Sequence, residues 1–214
     1  MEQRIGDFIL YFVVLLLSLS VHEASHAWTA SRLGDYTGYY MGRVSLNPLA
    51  HIDPIGTLLF PAMAFFTGVP VIGWAKPVPV NTTHLKDVKK GHILISLAGP
   101  GSNLVLAVIF LLALKLLLVS PESTVGVLGS LSTSVFELAK TGLLMNVALA
   151  VFNIIPIPPL DGHWVLYHLL PYNAAQVFDQ LRPYGFILLY LLMFTGGLSY
   201  ILWPAFWLVQ AALR

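Results

Sequence analysis

Two imidazoles and a carboxylate stand in one short run, His22-Glu23-Ala24-Ser25-His26, inside a stretch from Phe8 to Ser31 whose only formally charged side chain is Glu23. On an α-helix, residues four apart project from one face, so His22 and His26 can grip a single zinc ion. Glu23 then lies beside the metal and can act as a base on its water, the division of labour that this spacing supports. The setting matters as much as the spacing. An acid at the centre of a lipid-compatible helix costs about 2.5 to 3.5 kcal/mol to insert, so an ionisable residue kept there marks a functional site. The pattern reads as a zinc protease working within the membrane.

A catalytic zinc usually takes three protein ligands and leaves a position open for water. The chain has no cysteine, so the third ligand must be His, Asp or Glu. Asp161 is the candidate. It follows Asn153-Ile154-Ile155-Pro156-Ile157-Pro158-Pro159-Leu160, where closely spaced prolines must break a helix and free backbone groups. Within lipid such a break is tolerated only beside protein or a polar cavity. The break therefore argues for a site at Asp161.

The elements that must position these residues are apolar helices. Charged residues make up only 10% of the 214 residues against 57% hydrophobic ones, where an ordinary soluble domain has about 25% charged residues. Mean hydropathy is +0.79. The charges divide the chain into spans at approximately 8–31, 92–119 and 134–155, and an uncharged stretch at 184–213 broken by Gly196, Gly197 and Pro204. The fold class expected is an all-α polytopic membrane protein, a bundle of about 4–6 transmembrane helices forming one domain over residues 1–214. A short membrane-associated β or re-entrant element is expected after the first helix. Tyr39 to Leu46 reads as a strand closed by the Asn47-Pro48 turn, and Val78-Pro79-Val80 as extended chain. Such edges could pair with an unwound substrate segment, or be loops that shield the site. The uncharged patch 54–75 holds Gly56, Pro61, Gly68, Pro70 and Gly73, which suits a re-entrant element better than a plain span.

Basic residues from Arg32 through Lys90 place that connection on the cytoplasmic side by the positive-inside rule, and Ser120 to Thr133 outside. Helix one then descends to His26, and the broken helix descends to Asp161, on the same side. The apolar N-terminal run followed by Ser18-Leu19-Ser20 could be mistaken for a signal peptide, but cleavage there would strip the support from the metal helix. A net charge of +1 gives no expectation of nucleic-acid binding.

His22-Glu23-Ala24-Ser25-His26 in the first long helix, Gly99-Pro100-Gly101-Ser102-Asn103 in a later one, and the run from Asn153 to Gly162 together resemble the site-2 protease family of intramembrane zinc metalloproteases. The resemblance covers most of the chain. It implies His22, His26 and Asp161 as ligands of one Zn2+, Glu23 as the catalytic acid/base, and Asn153 as a residue that places or polarises substrate. It also implies transmembrane protein substrates and a multi-pass protein of a prokaryotic inner membrane with its active site toward the cytoplasm. The link from Ser120 to Thr133 is too short for a PDZ-like domain and only Arg214 follows the last apolar run, so a minimal core without PDZ or CBS domains is expected.

Asn103 can contact substrate or bond another helix. Gly99 and Gly101 can simply permit close packing. His163 reads as an ordinary hydrogen-bonded histidine or as support for Asp161, while His51, His84, His92 and His168 show no paired spacing. Trp28, Trp74, Trp164, Trp203 and Trp207 suit interfacial anchoring. Two rival functions are a membrane metal-ion transporter, since histidines and acids also line ion paths, and a catalytically inactive membrane scaffold. The polar groups gather at one depth, against the first, and His22, Glu23, His26 and Asp161 are all intact, against the second.

Overall fold

The first helix, α1 (Glu2–Arg32), is unbroken because Phe8 to Ser31 contains neither glycine nor proline. It stops where Gly34 takes a φ of +109° and the Asp35 amide donates back to the Ala30 carbonyl at 2.9 Å, a glycine-dependent helix end. Its two faces are inverted relative to a water-soluble helix. Ser18, His22 and His26, at four-residue intervals, are buried, while Ile9, Val13 and Leu17 at the same interval are exposed. A polar stripe turned inward and an apolar stripe turned outward is the arrangement a lipid solvent favours.

The computed structural model describes residues 2–69, 71–119 and 132–213. After α1 come α2 (Thr37–Tyr40), α3 (Phe60–Thr67), α4 (Val88–Val119), α5 (Ser132–Ile154), α6 (Asp161–Leu169), α7 (Tyr172–Asp179), α8 (Gly185–Phe194) and α9 (Gly197–Leu213). Four helical stretches are long and apolar enough to cross a membrane: Arg4–Arg32, Val88–Leu118, Thr133–Ile154 and Tyr172–Phe194. The protein is an all-helical membrane protein over the described residues. Pro54–Thr67 and Gly197–Leu213 are apolar but shorter. The expected outer link begins at Ser120, and 120–131 lie outside the described residues.

Helix α4 is the centre of the bundle, packed against α1, α5 and α6. Ala107 and Leu114 of α4 meet Ala139, Leu143 and Val147 of α5 and Val209 of α9 in one core. A second core joins Ile155 and Leu160, either side of the proline break, to Leu189 of α8. One side of the break, Ile155, Pro158 and Leu160, is thereby buried against protein. Between α8 and α9, Gly196 turns the chain with a φ of +79°.

No strand is present among the described residues, which corrects the expected β element at Tyr39 to Leu46. The Thr37 amide and hydroxyl both donate to the Asp35 carboxylate, at 3.0 and 2.5 Å, and this favours a helical turn over an extended start. Gly42 then reverses the chain at φ +70°, so no straight edge forms. Residues 71 to 81 carry no regular secondary structure. Their path is fastened from one side. Trp74 N–H donates to Gly56 O at 3.1 Å and Lys76 N–H to His51 O at 2.9 Å. The buried Arg43 guanidinium donates to Ala50 O at 2.5 Å and to Lys76 O at 3.3 Å, and Thr57 Oγ1 donates to Trp74 O at 2.8 Å.

Asp35 ties the end of α1 to the far end of that path. It is fully buried and also accepts from the Asn81 amide at 2.7 Å and His84 Nδ1 at 3.2 Å. Burial would raise its carboxyl, but the hydrogen bonds from Thr37, Asn81 and His84 outweigh it and hold the group below the usual carboxylate range. A carboxyl whose folded pKa is depressed stabilises the fold above its unfolded pKa of about 4, and that stability is lost as pH falls through the folded value. Asp35→Ala is expected to cost about 1.5 to 3 kcal/mol in a detergent unfolding titration at neutral pH, and the difference from wild type should shrink below about pH 4. A pH-independent difference would contradict this role.

Candidate metal centre

Three elements deliver the site. Helix α1 carries His22 and His26 on its buried stripe, one turn apart. Helix α4 passes over them at Gly99, where an added Cβ would lie 2.5 Å from His22 Nε2 and collide with His26 Nε2 as well. The third element is the break after α5. Pro156, Pro158 and Pro159 deny the chain the amides a helix needs. The remaining donors turn inward within the loop: Ile157 N–H to Ile155 O at 2.8 Å, Leu160 N–H to Ile157 O at 2.9 Å and His163 N–H to Leu160 O at 3.1 Å. The Pro158–Pro159 bond is cis. Helix α6 then begins on Asp161 itself, which places the carboxylate at the positive end of that helix. Gly162 makes the return possible, because a Cβ there would run into the backbone of Ile154 and Ile155.

The result is a tight convergence. Asp161 Oδ2 is 3.1 Å from His22 Nε2 and 3.4 Å from His26 Nε2, and the two Nε2 atoms are 3.0 Å apart. A tetrahedral ion with ligand distances of about 2.0 to 2.2 Å sets its ligand atoms about 3.4 Å from one another. Asp161 Oδ2 is buried and has no hydrogen-bond donor directed at it, so the atom lacks a partner that a cation would supply. The donor set fits zinc: two imidazole nitrogens and one carboxylate oxygen, with the other ring nitrogens already engaged. His22 Nδ1 faces Asn103 Oδ1 at 2.6 Å and His26 Nδ1 faces Ile95 O at 2.7 Å. Both partners are acceptors, so each Nδ1 carries the hydrogen and each Nε2 offers its lone pair.

The same residues open into a cleft of about 770 Å³ whose wall includes Glu23, Asn153, Trp74, Val78, Trp164 and His92. Glu23 Oε2 accepts the Val78 amide at 3.2 Å, so the fastened path of residues 74 to 78 ends against the glutamate. Asn153 stands on the last turn of α5, its Nδ2 donating to Leu149 O at 2.9 Å. Asn103 lies elsewhere. It is fully buried behind His22 and does not itself line the cleft.

Other polar residues gather apart from the ligands. His163 is 1% exposed with neither ring nitrogen hydrogen-bonded; it stacks on Phe178 with centroids 4.8 Å apart. Burial and then the Arg182 charge push its imidazole below the usual value, against the opposing pull of Asp179. His92 Nδ1 and His168 Nε2 approach to 3.0 Å, a pair with no counterpart in sequence spacing. Trp164 is covered by the Arg182 guanidinium at 4.4 Å and faces the cleft, a different setting from an interfacial anchor.

A bundle of membrane-length helices with a buried two-histidine, one-aspartate cluster and a glutamate at its side defines a membrane metallopeptidase. Residues 10–194 match peptidase family M50. The chain belongs to that family, the site-2 proteases. It is 36% identical over 192 residues to the "Putative zinc metalloprotease YwhC" of Bacillus subtilis, an alignment that covers 90% of this chain and 83% of the relative. It is 34% identical over 195 residues to the "Putative zinc metalloprotease Rip2" of Mycolicibacterium smegmatis, and 32% identical over 197 residues to the protein of that name from Mycobacterium tuberculosis. Each of these two alignments covers 91% of this chain and 70% of the relative. No solved structure matches the chain.

The geometry makes Gly162 a condition for the metal. Gly162→Ala, which forces Asp161 off the imidazoles, is expected to lower the metal content of purified protein as far as Asp161→Ala does. Gly101→Ala, where nothing lies within 4 Å, is expected to leave it unchanged. Elemental analysis of the three variants decides the point, and a Gly162→Ala protein with full metal content would contradict it.

Proposed function

We propose that this protein is an intramembrane zinc metalloprotease that hydrolyses peptide bonds within or near the transmembrane segments of other membrane proteins. The observation that carries the reading is the meeting of His22, His26 and Asp161 around an unpartnered buried carboxylate oxygen, at a depth otherwise built of apolar helices. His22, His26 and Asp161 hold one zinc ion. Bound there, zinc supplies a Lewis acid for the scissile carbonyl and acidifies a water.

Glu23 takes the proton from the attacking water and passes it to the departing amide nitrogen, so that one water and one peptide bond become a carboxylate and an amine. The Val78 amide steadies Glu23 from the cleft wall. Asn153, on the same wall, offers its side-chain oxygen or amide to the substrate backbone. A helical substrate must unwind before its peptide bonds reach the cleft, because its amides are committed to the next turn. Residues 72 to 82 contribute to the wall it would lie against, and the short apolar stretch Pro54–Thr67 supports a re-entrant element rather than a full span. Arg32 at the end of α1, Arg43, Lys76 and Lys86 in the connection, and Lys89 and Lys90 in the first turn of α4 support a cytoplasmic position for that wall by the positive-inside rule.

The test is cleavage of a single-span substrate by purified protein in lipid nanodiscs with zinc supplied. Glu23→Gln keeps the helix and the ligands, so zinc content should stay at wild-type level while cleavage falls about 10²- to 10⁴-fold, the usual contribution of a general acid/base. A Glu23→Gln protein that cleaves at the wild-type rate would overturn the mechanism. Zinc flux across sealed vesicles without cleavage would favour a transporter.

A further inference from the structure

Behind His22, on the side away from the cleft, three fully buried polar side chains form a closed chain of hydrogen bonds in the apolar middle of the bundle. Asn103 of α4 places Oδ1 at 2.6 Å from His22 Nδ1, and its Nδ2 donates to Ser18 O at 3.3 Å and to Asn146 Oδ1 at 2.8 Å. Asn146 of α5 donates its own Nδ2 to Gly142 O at 2.8 Å and to Ser18 Oγ at 2.9 Å. Ser18, Asn103 and Asn146 are each no more than 1% exposed. Such groups are costly at this depth unless fully paired.

The order of donors and acceptors in this chain is forced. A backbone carbonyl can only accept, so the Asn146 atom beside Gly142 O must be its amide nitrogen. Its oxygen therefore faces Asn103. That contact demands a donor, as does Ser18 O on the other side, so the Asn103 nitrogen must occupy this end. The Asn103 oxygen is left to face His22, and His22 Nδ1 must carry the hydrogen. Nε2 is then the bare nitrogen, aimed at Asp161. Were either amide reversed, carbonyl oxygens would oppose one another.

We infer that Asn146 is a positioning residue: acting only through Asn103, it fixes which nitrogen of His22 is free for the metal. This rests on the zinc reading above. Partners of this kind change metal affinity by about 10- to 100-fold when removed. His26 has a different arrangement, since its Nδ1 meets the Ile95 carbonyl directly, so the device serves one ligand of the pair.

The experiment is zinc retention by the full chain in detergent against a graded chelator, with the absorption spectrum of the cobalt-substituted protein as a second reading. Asn146→Leu keeps the volume and removes the polarity; zinc affinity should fall about 10-fold. Asn103→Leu should cost about 10- to 100-fold, and the double variant no more than Asn103→Leu alone, because Asn146 has no other route to the metal. Asn146→Thr keeps a hydroxyl that can donate to Gly142 O, four residues back, and accept from Asn103 Nδ2, and should hold zinc within about 3-fold of wild type, well inside that range. It keeps the test alive if the leucine variants fail to fold. The cobalt spectrum should shift in Asn146→Leu and not in Asn146→Thr. Wild-type zinc affinity in Asn146→Leu, losses that multiply in the double variant, or loss of zinc in Asn146→Thr would each overturn the inference. A wild-type protein that takes up no zinc would instead refute the function proposed above.

Discussion

A carboxylate has to reach two imidazoles that belong to another helix, inside a bundle whose helices run the length of a membrane. An intact α5 could not provide it, because a continuous helix would carry Asp161 away from α1 along its own axis. The proline break between Ile154 and Asp161 is the constraint from which the rest follows. It frees the chain to turn, Gly162 lets it turn closely against the end of α5, and α6 restarts with the carboxylate in its first turn. Ile155, Leu160 and Leu189 then pack one side of the interruption against the bundle.

The second demand is on the imidazoles. A histidine offers a ligand only if its other nitrogen is occupied by an acceptor, and in an apolar bundle acceptors are scarce. The two histidines solve this differently. His26 uses the Ile95 carbonyl of α4, one turn before Pro100. His22 sits deeper and needs side chains, so Asn103, Asn146 and Ser18 bring their polarity from three helices. The helix packing of α1, α4 and α5 and the chemistry of the metal site are thus one arrangement, with α4 as its common wall.

Part of this was legible in the sequence because it follows from spacing and breakage. Residues four apart on a helix share a face, and three prolines in four positions end a helix whatever surrounds them, so His22, His26 and Asp161 could be brought together on paper. The helical class was legible from the apolar runs. Asn146 was not, because a lone asparagine in an apolar helix has no periodicity and reads as a packing residue until its neighbours are known. The His92 and His168 pair was hidden for the same reason, since α4 and α6 bring it together across the chain. The strand expected at Tyr39 to Leu46 failed on local competition. Asp35 captures the Thr37 amide and Gly42 reverses the chain, and alternation of side chains cannot reveal either.

The central claim is that one zinc sits between His22, His26 and Asp161. X-ray absorption at the zinc edge on the purified protein tests it most directly. The account predicts one zinc per chain with nitrogen and oxygen neighbours at about 2.0 to 2.2 Å and outer-shell scattering from two imidazoles. A zinc shell without that imidazole signature would contradict it.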